Sequence, residues 1–407
     1  MNAPFTIADH AIVAPMQERA SFVHLLGIVG LAIAARAIFW NVRPPDMAIF
    51  LEPWFAHIVH YGPIQAFARP FSNYEPLYLY LLALGTLGAD LLTPMTIIKI
   101  LSVCGTLFMT LAFADVLKAV GVAKRNALLL LVLPSVVFND ALLGQCDALW
   151  AGACIFALAA MIRGRTLAAM IWCGVAIAFK AQAAFIAPVI IGVMIGRRAP
   201  WWQWAVPAAV FLTTLIPPWL LGWPAMKLLT VYLDQAAWDH IPGRLANPWM
   251  FATVFADHAS RPWFSVGYVA AAAAAIAIAA LSARHARSPR ALILLAALAG
   301  TAFPFLLPKM LERYYFLGDV MSLALVLTYR NRPAFLAMCS VQAASILSFV
   351  TLMYFFHQPY PALVGVAFAT AGLAIMCGLA RPSFKSLVSD IRSRIAARAF
   401  APAAKAS

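Results

Sequence analysis

Charge is what this chain has least of. Only 11% of its 407 residues are Asp, Glu, Lys or Arg, while 64% are hydrophobic. A soluble domain carries about one quarter charged residues. No soluble fold of this length hides so much apolar surface, so the solvent must be lipid. Acids are scarcer still, 15 against 29 Lys and Arg, for a net charge of +14. Such a balance can mark a nucleic-acid binder. In membrane chains, however, basic residues collect in cytoplasmic loops for topological reasons, and no nucleic-acid partner is expected. Cysteine offers no framework either. Cys104, Cys146, Cys154, Cys173, Cys339 and Cys377 sit mostly inside apolar runs and form no CxxC pair, so neither a metal site nor a disulfide network is indicated. Strand patterns, repeats of about 20–50 residues and an appended soluble domain are all missing.

What is present is a series of apolar runs. Candidates for spans lie at 21–40, 76–92, 94–118, 127–140, 147–162, 166–179, 183–196, 203–221, 263–283, 291–306, 315–329, 333–353 and 361–379. Ala32-Ile33-Ala34 could pass for a signal-cleavage site, but the apolar run continues to Trp40, and a retained first helix fits better. The basic loops should mark the cytoplasm. They are Lys118/Lys124/Arg125, Arg163/Arg165, Arg197/Arg198, Arg284/Arg287/Arg290, Arg330/Arg332 and the tail from Arg381. If every candidate crosses, these loops fall on both sides. Treating 76–92 as a helix on the outer face removes the conflict. The expectation is then an all-α polytopic membrane protein with about twelve crossings and both termini cytoplasmic. Three parts follow: an N-terminal membrane module (1–200) with a first outer loop at 41–93, a C-terminal module (201–380) with a second outer loop at 222–262, and a basic tail (381–407) lying on the inner leaflet.

This topology sends most acids to the outer side. It leaves Arg36, Arg43, Arg69, Lys99, Lys180, Lys227, Arg244, Arg261, Lys309 and Arg313 there with them, against the topological rule. In the first outer loop Asp46 follows Pro44-Pro45 and can cap the helix that follows while serving as a fixed carboxylate. Glu52, His57 and His60 share one arc of that helix. The HxxH spacing could suggest a metal, but no third ligand stands out and none is expected. Asn73-Tyr74-Glu75 opens an apolar helix. In "FNDALLGQCDALW", Asp140, Gln145 and Asp147 are either a capped turn or functional groups, with no positive residue nearby in sequence. Lys180 and Gln182 end a short span, where a lysine can snorkel to headgroups. Arg244 precedes an Asn247-Pro248-Trp249 turn. "PKMLERYYF" brings Lys309, Glu312, Arg313 and Tyr314 to the edge of an apolar run, with Lys309 and Arg313 on one helical face. A simple ion pair within an aromatic belt is the plainer reading of that stretch.

Two cations beside an acid suit a lipid phosphate where water is thin. A separate fixed carboxylate suits removal of a proton from an alcohol. Together they describe transfer of a sugar from a lipid phosphate, a good leaving group stabilised by cations, to a hydroxyl.

A proline-flanked Asp, an Asn-Tyr-x-Pro-Leu run, an outer turn with Gln and Asp, and the late Pro-Lys-Met-x-Glu-Arg-Tyr-Tyr-Phe stretch resemble the GT-C superfamily of polytopic glycosyltransferases. The likeness is to its bacterial mannosyltransferase-like branch, similar also to the ER enzymes that use dolichol-phosphate sugars. "RLANPW" is similar to an Asn-x-Trp segment of many members. The resemblance implies Asp46 as general base, and Lys309, Arg313, Lys180 and Arg244 as contacts of the donor phosphate. It leaves Glu52, Tyr74, Glu75, Gln145, Asp147, Glu312 and Tyr314 as candidates for sugar or acceptor. It implies a polyprenyl-phosphate sugar donor, a membrane lipid or glycan acceptor, inversion at the sugar carbon, no cofactor, and a periplasmic site in a bacterial inner membrane. Two departures stand out. Leu311 replaces a family His read as a phosphate contact. Met47 follows Asp46 where metal-using oligosaccharyl-transfer members have a second acid, and a hard divalent ion wants several oxygen ligands. A flippase for lipid-linked sugars or another transporter, or a non-catalytic membrane subunit, is the alternative; a transporter should show internal pseudo-repeats and charges near the bilayer midplane.

Overall fold

Prolines set many of the helix starts. Pro76, Pro94, Pro134 and Pro289 each open a helix, where the missing N–H leaves no bond unmade. A computed structural model describes residues 22–237, 244–251, 261–354 and 359–399. Asp9, Glu18, Asp239 and Asp257, which the topology assigned to sides, lie outside these residues. In chain order the helices are α1 (Phe22–Phe39), α2 (Glu52–Tyr61), α3 (Pro76–Gly85), α4 (Pro94–Ala119), α5 (Pro134–Val137), α6 (Asp147–Ile162), α7 (Thr166–Phe179), α8 (Ala187–Gly196), α9 (Val206–Leu221) and α10 (Ala225–Ala236). They continue with α11 (Arg261–Arg284), α12 (Pro289–Leu306), α13 (Phe316–Tyr329), α14 (Arg332–Tyr354) and α15 (Tyr360–Ala399). No strand occurs among the described residues, in keeping with the all-α expectation.

Among the described residues, six segments are long and apolar enough to cross a membrane: Pro94–Ala119, Trp201–Leu221, Phe264–Arg284, Pro289–Leu306, Arg332–Tyr354 and Tyr360–Asp390. The stretch expected as one span at 127–140 is broken. Lys124–Val132 winds as a 3-10 helix, and Pro134–Leu142 leaves it at 62°. Leu133 is extended there, as a residue before proline prefers to be. The stretches at 147–162, 166–179 and 315–329 form α6, α7 and α13, all shorter than the six. A helix of 16 residues such as α6 covers about 24 Å, less than a hydrocarbon core of about 30 Å. The ten residues of α3 cover about 15 Å. Residues 381–399 continue α15 through Pro382. Arg284 pairs with Asp390 and ties this extension to α11. The Ala-rich part of α11 packs within the chain, against the Gly192–Gly196 edge of α8.

Several cations that topology left unexplained hold the fold. Lys99 is fully buried in α4. Its Nζ donates to the carbonyls of Phe39 (2.9 Å), Trp40 (2.7 Å) and Val42 (2.7 Å), closing the C-terminal end of α1 and fixing the start of the following loop. Arg36 reaches across to Asp140, at 2.6 Å, while Thr106 donates to the same carboxylate at 2.9 Å. Asp140, without a positive neighbour in sequence, thus has one in space. The loop 307–315 is fixed by the two helices it joins. A Cβ on Gly300 would lie 2.6 Å from the backbone N of Gly318, and one on Gly318 would lie 2.5 Å from Thr301 Oγ1, so α12 and α13 meet backbone to backbone.

Arg36→Leu leaves Asp140 buried without its cation and is expected to destabilise by about 3–5 kcal/mol. The double variant Arg36→Leu/Asp140→Leu should recover much of that loss. Thermal unfolding in detergent reads both, and a single variant as stable as the parent would show that the pair holds nothing.

Candidate active site

Two wide, π-type helical turns, Met47–Leu51 and Phe138–Leu142, present the side chains of the site. Such turns are rare and concentrate where a side chain must be re-aimed. Asp46 leads into the first. It caps nothing through its side chain, contrary to the sequence expectation. Its Oδ2 instead meets Arg313 Nη1 at 2.9 Å and accepts from Gln145 Nε2 at 3.3 Å. Gly144 brings Gln145 there. Its φ of 64° suits glycine, and a Cβ would come 2.5 Å from the Met47 Cε methyl, which would have to shift.

Behind this layer lies Asp147, only 1% exposed, at the first position of α6. Its Oδ1 accepts from Lys180 Nζ (2.6 Å) and Trp150 Nε1 (2.9 Å), and its Oδ2 from Asn139 Nδ2 (2.8 Å). Arg313 Nε sits 3.6 Å from Oδ2, an ionic contact too long for a hydrogen bond. Arg313 also pairs with Glu312 at 2.7 Å. Burial works against the Arg313 guanidinium, but Asp46, Glu312, Tyr74 and Asp147 outweigh it and push its pKa further up. At Arg244 burial dominates over the carboxylates of Glu312 and Asp46 and lowers the value. The Tyr74 hydroxyl donates to Gln145 Oε1 at 3.2 Å, and Lys180 Nζ lies 5.1 Å from the Tyr74 ring centre. Burial raises the Tyr74 phenol to about 12, with Lys180 the main opposing charge.

These groups surround a cavity of about 630 Å³. Asp46, Tyr74, Gln145, Lys180, Arg244, Lys309, Arg313 and Tyr314 line it, so residues up to 268 positions apart in sequence share one space. Lys309 does so from a left-handed backbone, φ 59°, which is strained for a side-chain-bearing residue. Asp147 and Glu312 touch the cavity only through the cations they hold. Glu52 is not among the lining residues; it pairs with exposed Arg43. Glu75 is buried beside the cavity without lining it, and both its oxygens lack a hydrogen-bond partner. His57 stacks on Phe71, centroids 4.4 Å apart, and no group of three or more His, Cys, Asp or Glu gathers among the described residues. Sequence reasoning missed Trp54, Tyr232 and Gln235 as cavity walls, and Asn139 as the partner of Asp147. For the first three the amphipathic patterns of α2 and α10 were the available signal; Asn139 had none beyond its place in the turn.

A carboxylate, a cluster of cations and an aromatic wall thus share one cavity of an apolar helical protein. Residues 60–197 match the model of the MptA_B family, described as alpha-(1->6)-mannopyranosyltransferase, N-terminal domain, which is a mannosyltransferase of the GT-C type. The match supports a membrane glycosyltransferase. It includes Tyr74, Glu75, Gln145, Asp147 and Lys180, and leaves Asp46 and the wall from Arg244 to Tyr314 outside. No curated protein matches the chain.

Burial lifts the Glu75 carboxyl from 4.5 to about 8. Because the folded value lies above the unfolded one, its contribution to stability is complete below about pH 4.5 and is lost as pH rises through about 8. Glu75→Gln should therefore gain on the parent as pH climbs from 5 to 8, read as the difference between their melting temperatures. A difference that stays flat with pH would mean that Glu75 does not titrate in this window.

Proposed function

We propose that this protein is an inverting glycosyltransferase. It moves a hexose, mannose or glucose, from a polyprenyl-phosphate donor to a hydroxyl of a glycolipid, polysaccharide or protein. The observation that carries the reading is the meeting of Asp46 with Arg313 (2.9 Å) in a cavity that Lys180, Arg244 and Lys309 also line. The three acids Asp46, Asp147 and Glu312 leave one positive charge in excess among the four cations. That excess matches the single charge of a phosphodiester donor. Lys180, Arg244, Lys309 and Arg313 hold the phosphate together, which compensates for Leu311 in place of a histidine.

The reaction follows from these roles. The acceptor hydroxyl attacks the anomeric carbon opposite the phosphate, the carbon–oxygen bond to phosphate breaks, and the electron pair leaves with the phosphate. Both contacts of Asp46 fall on Oδ2, which Arg313 and Gln145 hold in place. Oδ1 takes the acceptor proton, and the side chain, 29% exposed, is open to an incoming alcohol. The cations offset the charge gathering on the leaving phosphate. With about twelve crossings and the basic loops cytoplasmic, the reading assigns this cavity to the periplasmic face of a bacterial inner membrane and both termini to the cytoplasm. Residues 1–200 and 201–380 act as two modules closing on it, and 381–407 form a basic cytoplasmic extension. A lipid-linked-sugar flippase and a non-catalytic subunit are the competing readings.

The test is transfer of labelled mannose or glucose from the polyprenyl-phosphate sugar by purified protein in lipid. Asp46→Asn should reduce turnover by about 10²–10⁴-fold with donor binding retained. Lys309→Ala and Arg244→Ala should weaken donor binding instead. Full turnover by Asp46→Asn would remove the general base. Transport of the lipid without transfer would favour the flippase.

A further inference from the structure

One part of the same cavity has a chemistry that a phosphate cannot use. Asn73 and Gln182 both line it, and both side chains carry a buried carbonyl oxygen, Asn73 Oδ1 and Gln182 Oε1, with no hydrogen-bond partner. Gln182 is only 9% exposed. Glu75, two residues on from Asn73, adds two more unpartnered oxygens behind the wall, in electrostatic contact with the wall residue Tyr232. The two amide oxygens are acceptors, and a protonated Glu75 carboxyl offers one acceptor and one donor. Leaving such atoms buried and unpaired costs stability, so a ligand that supplies donors is favoured.

The candidates separate on chemistry. A phosphate brings acceptors and would be repelled. A polyprenyl tail brings nothing polar. A metal cation would suit the oxygens but not the excess positive charge of Lys180, Arg244, Lys309 and Arg313 in the same cavity. A ring of hydroxyls suits them, because each hydroxyl donates one bond and the amide nitrogens of Asn73 and Gln182 can donate in return. Aromatic faces for the apolar side of such a ring are at hand: Trp54 and Tyr74 line the cavity with centroids 5.0 Å apart. Asn73 also belongs to a second cavity of about 430 Å³, with Phe50 and Trp54 common to both. It therefore stands where two bound molecules can meet.

We propose that Asn73 and Gln182, backed by Glu75, form a hexose-hydroxyl subsite that recognises the sugar itself, apart from the cations that recognise its phosphate. The inference rests on the glycosyltransferase reading and adds the specificity-determining residues to it. The hydroxyls belong either to the donor sugar or to a sugar of the acceptor.

Binding of two probes to the full chain in lipid nanodiscs tests it: polyprenyl phosphate without sugar, and polyprenyl-phosphate-mannose or -glucose. The parent should prefer a sugar-bearing lipid. Gln182→Leu and Asn73→Ala should each lose about tenfold of that preference, the size of one hydrogen bond, while affinity for the bare phosphate stays as it was. Glu75→Gln keeps shape and should act in the same direction more weakly. If donor preference survives but the KM for a glycan acceptor rises in these variants with kcat kept, the subsite takes acceptor hydroxyls. Unchanged donor preference together with unchanged acceptor KM overturns the proposal. Failure of the parent to bind either lipid overturns the donor reading, and this inference with it.

Discussion

The site depends on one buried carboxylate. Asp147 sits at the start of α6 and collects Lys180 from the end of α7, Trp150 from its own helix, Asn139 from the π-type turn and Arg313 from the loop between α12 and α13. A lone carboxylate at that depth would be intolerable, and so would a lone lysine. Neither can leave without stranding the other. The parts of the chain that carry them are therefore bound to one another, and everything at the cavity inherits that constraint. Arg313 is steadied by Asp147 and passes the order on to Asp46 and Glu312.

The same logic runs away from the site. Arg36 and Asp140 form a second buried pair, and Lys99 closes the end of α1 on three carbonyls. These two cations hold the chain on either side of the first loop, where Asp46 lies. Charge is scarce in this protein, and most of what reaches its interior is spent on fixing backbone near one cavity. A chain so apolar gains little discrimination from hydrophobic contact, since lipid tails are as apolar as its own side chains. Buried ion pairs and close glycine contacts, such as Gly300 on Gly318, then decide which helix lies against which.

The cavity divides its labour. Cations cluster from Lys180, Arg244, Lys309 and Arg313, while unmet acceptors come from Asn73 and Gln182, with aromatic rings beside them. The family match, over 60–197, takes in the acceptor wall and Lys180, whereas Asp46 and three of the four cations come from outside it. The chemistry of the site is thus completed by segments on both sides of the matched region. That arrangement makes the loop 307–315 as important to the cavity as the matched segment itself.

The sequence alone determined that the chain is helical and lives in lipid, because composition sets the solvent and the solvent forbids open strands. It also singled out Asp46, Lys180, Arg244, Lys309 and Arg313, because a charge in an apolar run is conspicuous and costly. It did not show that Glu52 turns to Arg43, and it misjudged Asp46 as a cap. The break at Leu133 and the long continuation of α15 were not legible either, since local apolarity measures neither bend nor helix end. Which charges pair was decided only in three dimensions. Arg36 and Asp140 stand 104 positions apart, and Asp46 and Arg313 much further. Pairing energy depends on distance and burial, and neither is written in the order of residues along the chain.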